Sequence, residues 1–190
     1  MKLRTFHLSL PKDGEILSGD AVVVRTVGSV TLVAVLDALG HGHLAAPVAE
    51  RGRAYLEKVH IPSHVQTLTE GLHDALRGTR GAAGMCCLLR DGRVQGCGVG
   101  NVELRAPRTR VPVVLTPGIL GVSLRKARTF EGAFGSGGRL ILFSDGISPR
   151  MDLDKVDRLS PEETCRALLD RYRRPHDDAT LLVVDSDEAQ

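Results

Sequence analysis

An apolar run that ends in a carboxylate and a glycine-rich turn occupies the stretch Val33-Ala-Val-Leu-Asp37-Ala-Leu-Gly40-His41-Gly42-His43. Consecutive apolar residues predict a strand that is covered on both faces, and the glycines that follow predict a turn. The strand would therefore place the Asp37 carboxylate at the edge of a buried sheet.

Further acidic positions repeat this arrangement at the ends of apolar runs: Asp20 before 21–25, Asp145 after 140–144, and Asp177 with Asp178 before 179–184. Taken singly, each aspartate also fits an ordinary turn or cap. Antiparallel pairing can bring such strand ends to one rim, where unneutralised carboxylates would repel one another. A divalent cation removes that repulsion, and oxygen donors without cysteine or histidine at zinc spacing favour Mg²⁺ or Mn²⁺. The pattern therefore indicates metal-assisted phosphate chemistry.

The composition predicts one ordinary globular domain, 1–190, which is large enough to bury a core. The 25 basic and 23 acidic residues leave a net charge of +2, which gives no indication of a nucleic-acid partner. No stretch approaches the ~20 apolar residues of a membrane span, and the first residues lack an apolar signal segment. We therefore expect no membrane partner and a cytoplasmic location.

The four cysteines, at 86, 87, 97 and 165, form no Cys-x-x-Cys pair. Cys86 and Cys87 are neighbours on a predicted strand, so their side chains should point to opposite faces. We expect all four to be small core residues in a reducing compartment rather than disulfide partners or metal ligands.

Hydrophobic periodicity predicts strands at 2–9, 21–26, 31–36, 84–90, 93–98, 101–105, 111–115, 127–134, 139–143 and 179–185. Helices are predicted at 44–59 with Pro47 in the first turn, from a Ser63 cap to 77, and from a Ser160 capping box to 172. Residues 186–190 are expected to fray. Because strands and helices do not alternate, two antiparallel sheets packed together, with helices outside, are favoured over a doubly wound sheet.

Five short motifs occur in order along the chain: Ser18-Gly-Asp20, Asp37-Ala-Leu-Gly-His-Gly42, Gly98-Val-Gly-Asn101, Ser144-Asp-Gly146 and Asp177-Asp-Ala-Thr180. Together they resemble the metal-dependent serine/threonine protein phosphatases (type 2C, PPM), specifically the SpoIIE-like branch, over residues 18–180. The resemblance implies an α+β fold, a four-layer αββα sandwich of two antiparallel β-sheets flanked by helices. It also implies a site for two Mn²⁺ or Mg²⁺ ions at one end of the sheets.

The resemblance assigns metal-binding roles by motif position. Asp37 would bridge both ions, and the Ala38 backbone carbonyl would bind one of them. Asp145 and Asp177 would complete the shell of the other ion. Asp20 would act directly or through bound water, and Asp178 would belong either to the ligands or to the residues behind them.

The same resemblance implies a mechanism in which metal-activated hydroxide attacks phosphorus in line and the serine or threonine alkoxide leaves. His41 would either protonate the leaving oxygen or brace the turn at 40–42. The chain departs from the pattern of many members at Gly137-Gly138-Arg139, where they carry Gly-Asp before the strand that leads to Ser-Asp-Gly.

The short length is similar to that of RsbX-type phosphatases. This likeness implies a phosphoserine or phosphothreonine substrate on a stressosome scaffold or anti-sigma-antagonist (STAS-type) protein, whose dephosphorylation resets a bacterial stress-signalling pathway. The alternative is a non-catalytic phosphatase-like binding module that regulates a signalling complex. Retention of all four acidic sites favours the enzyme, because a scaffold does not need a carboxylate cluster.

Overall fold

The computed structural model describes residues 2–187, within which the chain forms ten strands, three α-helices and one 3₁₀ turn. The strands are β1 Leu3–Leu10, β2 Asp20–Val27, β3 Val30–Ala38, β4 Ala82–Arg90, β5 Arg93–Val99, β6 Glu103–Arg105, β7 Leu115–Thr116, β8 Phe130–Ala133, β9 Arg139–Phe143 and β10 Ala179–Ser186. The helices are α1 Gly42–Lys58, α2 Val65–Ala75 and α3 Pro161–Tyr172, and the 3₁₀ turn is Asp154–Val156. None of the helices in residues 2–187 is long and apolar enough to cross a membrane.

The strands form two sheets, one in the order β1-β10-β9-β6 and one in the order β2-β3-β4-β5-β7, with β8 also paired to β5. Successive side chains of β3 point to opposite faces of its sheet, and each face is covered by a different apolar cluster. Leu32 and Leu36 belong to the apolar cluster shared with α1 and α2, whereas Val33 and Val35 belong to the cluster between the two sheets. A third cluster joins α3 to the outer face of β9 and β10. The predicted α+β sandwich of four layers, αββα, is confirmed.

Strand pairing brings the acidic positions to one end of the sandwich. In the register of β2 and β3, Asp20 lies opposite Asp37. Asp145 follows β9, and Asp178 precedes β10, which pairs with β9. The prediction of purely antiparallel sheets needs one correction, because the two-residue β5–β7 pair is parallel.

Helix boundaries differ from the sequence prediction in two places. Pro47 lies inside α1 rather than in its first turn, because the helix already begins at Gly42. The predicted Ser63 cap of α2 is wrong, since the N-cap is His64 and it makes no side-chain cap hydrogen bond. Gln95 of β5 supplies the missing acceptor, and the Val65 N–H donates to its Oε1 at 2.9 Å. Helix α2 also ends at Ala75.

The predicted strands at 111–115 and 127–134 are reduced to β7 and β8, because only these short segments meet the edge of β5. Fraying from residue 186 is also wrong. Ser186 pairs with Leu3 in the sheet, and its N–H donates to the Gly138 carbonyl at 3.0 Å. Residues 188–190 of that prediction lie outside the described residues.

The cysteines occupy the core, as expected. All four are free and buried. Cys86 packs in the cluster under α1 and α2, whereas its neighbour Cys87 packs between the sheets, so the two side chains do point to opposite faces.

The departure at 137–139 has a structural consequence that the sequence did not reveal. Arg139 is buried, and its guanidinium donates to both Asp185 carboxylate oxygens, at 2.7 and 2.6 Å. Its remaining donors reach the carbonyls of Val156 at 2.8 Å and Leu159 at 2.6 Å. The ion pair therefore ties β9 and β10 to the connection that leads into α3.

We expect Arg139→Met to lower the free energy of unfolding by about 3–5 kcal/mol, because it leaves the Asp185 carboxylate buried without its partner. Chemical denaturation followed by circular dichroism measures this loss. The control is Arg93→Ala, which breaks the exposed Arg93–Glu131 pair and should cost less than about 1 kcal/mol. Equal losses in the two variants would contradict the structural importance of the buried pair.

Candidate metal centre

Asp20 is the most confined of the predicted ligands. Only 8% of its surface is exposed, and its Oδ2 accepts a hydrogen bond from the Ser144 hydroxyl at 2.6 Å. Its Oδ1 is buried and has no hydrogen-bond partner in residues 2–187. Burial raises the pKa of Asp20 from 3.8 to about 7, and the negative charges of Asp178 and Asp145 add to this shift. A carboxylate oxygen held dry and unpartnered requires a cation or a proton.

Asp37 is also buried, and four neighbouring carboxylates repel its charge. Burial raises its pKa from 3.8 to about 8, and the neighbouring carboxylates of Asp20, Asp145, Asp177 and Asp178 raise it further. The five carboxylates are therefore close enough to influence one another, as the strand-end pattern predicted.

Asp145 is held in place by two side-chain donors. The Asn101 side-chain amide donates to its Oδ2 at 2.7 Å, and the Arg174 guanidinium donates to its backbone carbonyl at 2.9 Å. Burial raises the pKa of its carboxyl group, and the charge of Asp177 is the next cause. Asn101 occurred in one of the five sequence motifs, but this contact with Asp145 was not anticipated.

Asp178 differs from the other carboxylates because both of its oxygens accept backbone hydrogen bonds. The Lys12 N–H donates to Oδ1 at 2.8 Å and the Gly19 N–H donates to Oδ2 at 2.7 Å. Asp178 therefore anchors the segment between β1 and β2 that leads into Asp20. This geometry supports the second of its two predicted roles, a position behind the ligands.

A cavity of about 330 Å³ opens at this end of the sheets. Its walls include three of the predicted ligands, together with other residues of the same loops: Asp37, Leu39, Gly40, His41, Ala83, Asn101, Asp145, His176 and Asp177. Asp20 and Asp178 are not among its lining residues, and Asp20 instead lines a separate cavity between β2 and α1. Ala38 lies next to Asp37, and its N–H donates to the Gly19 carbonyl at 2.9 Å, which fixes this peptide beside Asp20.

Both ring nitrogens of His41 have partners. Its Nδ1 lies 2.9 Å from Glu15 Oε1, and its Nε2 lies 2.9 Å from Lys12 Nζ. Glu15 also packs against Gly42, where a Cβ would meet its carboxylate. Neither Lys12 nor Glu15 was identified from the sequence, because only folding brings the segment between β1 and β2 against the start of α1.

The donor set fits hard divalent cations. The donors that converge here are carboxylate oxygens, and one of them is buried and unpartnered. None of the five carboxylates forms an ion pair within residues 2–187, so no basic side chain replaces a cation. Within residues 2–187, no group of three or more His, Cys, Asp or Glu side chains is arranged to hold a metal ion.

No family model matches the chain. It is similar to the phosphoserine phosphatase RsbX of Bacillus subtilis (strain 168), with 25% identity over 152 residues, which are 77% of this chain and 75% of that protein. A crystal structure of RsbX in complex with magnesium matches with a TM-score of 0.83 at 22% identity, and the match covers 96% of this chain and 94% of that chain.

Two further solved structures match over nearly the whole chain. One is a structure from work on the bacterial stressosome, a modular system that has been adapted to control secondary messenger signalling. It has a TM-score of 0.89 and 31% identity, and it covers 97% of this chain and 100% of that chain. The other is the PP2C phosphatase domain of SpoIIE from Bacillus subtilis with a fragment of its regulatory domain. It has a TM-score of 0.82 at 22% identity and covers 100% of this chain and 64% of that chain.

The raised pKa values predict how stability depends on pH and cations. Because Asp20 and Asp37 titrate near 7 and 8 rather than 3.8, the folded state binds more protons than the unfolded state. Without metal, these groups should therefore lower stability progressively as pH rises from about 4 to 8. A divalent cation at a hundredfold excess over its Kd should then raise the thermal midpoint at about pH 8 by about 5–10 °C.

Calorimetry in EDTA and in Mg²⁺ measures both effects. In EDTA at about pH 8, Asp37→Asn should melt above the wild type because one repelling charge is gone, and Mg²⁺ should stabilise it less. Asp170→Asn, an exposed substitution on α3, should behave as wild type. A wild-type midpoint that responds to neither pH nor cation would contradict the metal site.

Proposed function

We propose that this chain, a protein-serine/threonine phosphatase of the metal-dependent (type 2C, PPM) family related to RsbX and SpoIIE, acts on a phosphorylated stressosome scaffold or STAS-type protein. Its removal of phosphate would reset a bacterial stress-signalling pathway. The observation that carries the proposal is the cluster of five carboxylates beside an open cavity, with one buried oxygen left unpartnered.

We assign the divalent cations, two Mg²⁺ or Mn²⁺ ions, to Asp37, the Ala38 carbonyl, Asp145, Asp177 and Asp20. When bound, such cations lower the pKa of a water molecule and neutralise phosphate charge. The unpartnered Oδ1 of Asp20 supports a direct contact for this residue. Asp178 is assigned to positioning, because its oxygens hold the Lys12 and Gly19 amides.

The residues around these ligands orient them. Ser144 fixes Asp20 through its hydroxyl, and Asn101 fixes Asp145 through its amide, so each keeps one rotamer when the cation binds. Preorganised ligands of this kind avoid reorganisation during the reaction.

His41 stands at the cavity wall with both ring nitrogens engaged. This geometry supports its bracing role over its role as the acid, because neither nitrogen is free to protonate a leaving oxygen in this arrangement. Glu15 fixes the ring, and the ring in turn holds the Lys12 ammonium group. Lys12 keeps further N–H donors that are available to a phosphate oxygen.

The substrate class rests on two observations. The cavity is open and its volume of about 330 Å³ admits a phosphorylated serine or threonine side chain. The similar chain of known structure with 31% identity comes from work on the bacterial stressosome. A cytoplasmic location is part of the same proposal, and the four free cysteines are consistent with it.

Hydrolysis of p-nitrophenyl phosphate should require Mn²⁺ or Mg²⁺ and should stop in EDTA. Asp37→Asn should lower kcat by at least about 100-fold, because loss even of a residue behind the ligands typically costs 10–100-fold. The exposed Asp170→Asn variant is the matched control and should keep wild-type kcat. Equal rates in wild type and Asp37→Asn would contradict the assignment of Asp37.

The substrate proposal predicts release of phosphate from phosphoserine or phosphothreonine of a purified STAS-domain protein, measured with Mn²⁺ by loss of the phosphorylated species in mass spectrometry. A phosphotyrosine peptide should react at least about tenfold more slowly, because its longer, rigid ring holds the phosphorus farther from the backbone. Preference for phosphotyrosine, or activity on p-nitrophenyl phosphate but not on the STAS protein, would overturn the proposed substrate.

A further inference from the structure

Arg80 lies on the rim of the carboxylate cavity, in the connection between α2 and β4. Its guanidinium lies against Gly40, where a Cβ would sit 2.9 Å from Arg80 Nη1. Gly40 has φ of +92°, so its lack of a side chain permits the turn and also leaves the space that the guanidinium fills. Gly40 lines the cavity, and the exposed Arg80 packs against it from outside that lining.

Arg80 is a cation without a partner within residues 2–187, since no group there forms an ion pair or hydrogen bond with its side chain. Arg77, three residues earlier, provides the contrast, because its guanidinium pairs with Asp74 at 2.8 Å. An arginine presents five N–H donors in a rigid fork that matches a carboxylate or a phosphate. Arg80 therefore offers a full set of donors to a molecule that approaches the cavity.

Two residues with exposed aliphatic side chains contact Gly81, the residue after Arg80. Leu39 is 39% exposed, and its N–H donates at 3.0 Å to the carbonyl of Gly81, the residue after Arg80. Val122 is 57% exposed, and its Cγ2 would lie 2.9 Å from a Cβ on Gly81. We call Leu39, Arg80 and Val122 the rim patch. An arginine among apolar side chains is the usual composition of an interface centre.

The occupant of the rim patch follows from its position, on the premise that the proposed function is correct. A protein whose phosphorylated side chain enters the cavity must lay its neighbouring residues over the mouth. We propose that the rim patch docks the protein substrate, with Arg80 binding an acidic side chain next to the phosphorylated residue and Leu39 and Val122 contacting apolar side chains. Arg80 binds the substrate's carboxylate rather than its phosphate, because Arg80 lies outside the cavity that receives the phosphate.

Two phosphoserine peptides test this assignment, one with glutamates flanking the phosphoserine and one with glutamines at the same positions. The wild type should hydrolyse the glutamate peptide with about tenfold higher kcat/KM, mainly through KM. Arg80→Ala should abolish this preference and leave the kinetics on p-nitrophenyl phosphate unchanged. Arg77→Ala, the matched control on the same surface, should keep the preference.

Charge reversal makes the test independent of simple loss of activity. Arg80→Glu should prefer a peptide with flanking lysines over the glutamate peptide. Equal loss on p-nitrophenyl phosphate and on the peptides in Arg80→Ala would overturn the proposal, because it would mean that Arg80 binds the phosphate itself. A wild type that hydrolyses both peptides equally, or p-nitrophenyl phosphate but neither peptide, would overturn the docking role alone. A wild type inactive on all three compounds would overturn the proposed function as well.

Discussion

The site depends on like charges that the sheet register forces together. Antiparallel pairing of β2 with β3 places Asp20 opposite Asp37, and the β9–β10 pair delivers three more aspartates to the same end. In water these side chains would separate, but each follows or precedes a buried strand that cannot move away. The raised pKa values of Asp20, Asp37 and Asp145 record this confinement, with burial as the first cause and neighbouring charges next. On the proposed assignment, binding of cations to the folded state would convert a destabilising cluster into a stabilising one.

Neutral donors hold the cluster in shape without removing its charge. Ser144 and Asn101 each donate to one carboxylate oxygen, and backbone amides of Lys12 and Gly19 donate to Asp178. Such hydrogen bonds fix rotamers and lower the cost of ionisation, but they leave the net negative charge unchanged. At the opposite end of the two strands that lead to Asp145 and Asp178, the buried Arg139–Asp185 pair ties β9 to β10.

Local pattern in the sequence was enough to predict the layers of the fold and the gathering of Asp20, Asp37, Asp145 and Asp177. Each of those predictions depends on a run of neighbouring residues and on the pleat, which alternates Val33 and Leu36 between two cores. Contacts between distant segments were not predictable in this way. The replacement of the Ser63 cap by Gln95 and the positions of Lys12 and Glu15 beside His41 join segments far apart in the chain. The burial of Arg139 also could not be predicted, because arginine is ordinarily a surface residue.

The contacts made by the nearby basic side chains explain how the carboxylate cluster stays available to metal. Three basic side chains lie close to it, and none pairs with its carboxylates: Lys12 contacts the His41 ring, Arg174 donates to the Asp145 carbonyl, and Arg80 lies behind Gly40. An arginine that reached Asp37 would lower its pKa and compete with a divalent cation for the same charge. The glycine turn at 40–42 lies between the carboxylates and Arg80 and prevents such a contact. On the proposed assignments, a substrate's phosphate would be repelled by the carboxylates until cations bind, whereas an acidic side chain of the substrate would be attracted to Arg80 with or without cations. Metal binding and substrate docking would then depend on separate charges of opposite sign, which the turn that follows Asp37 keeps apart.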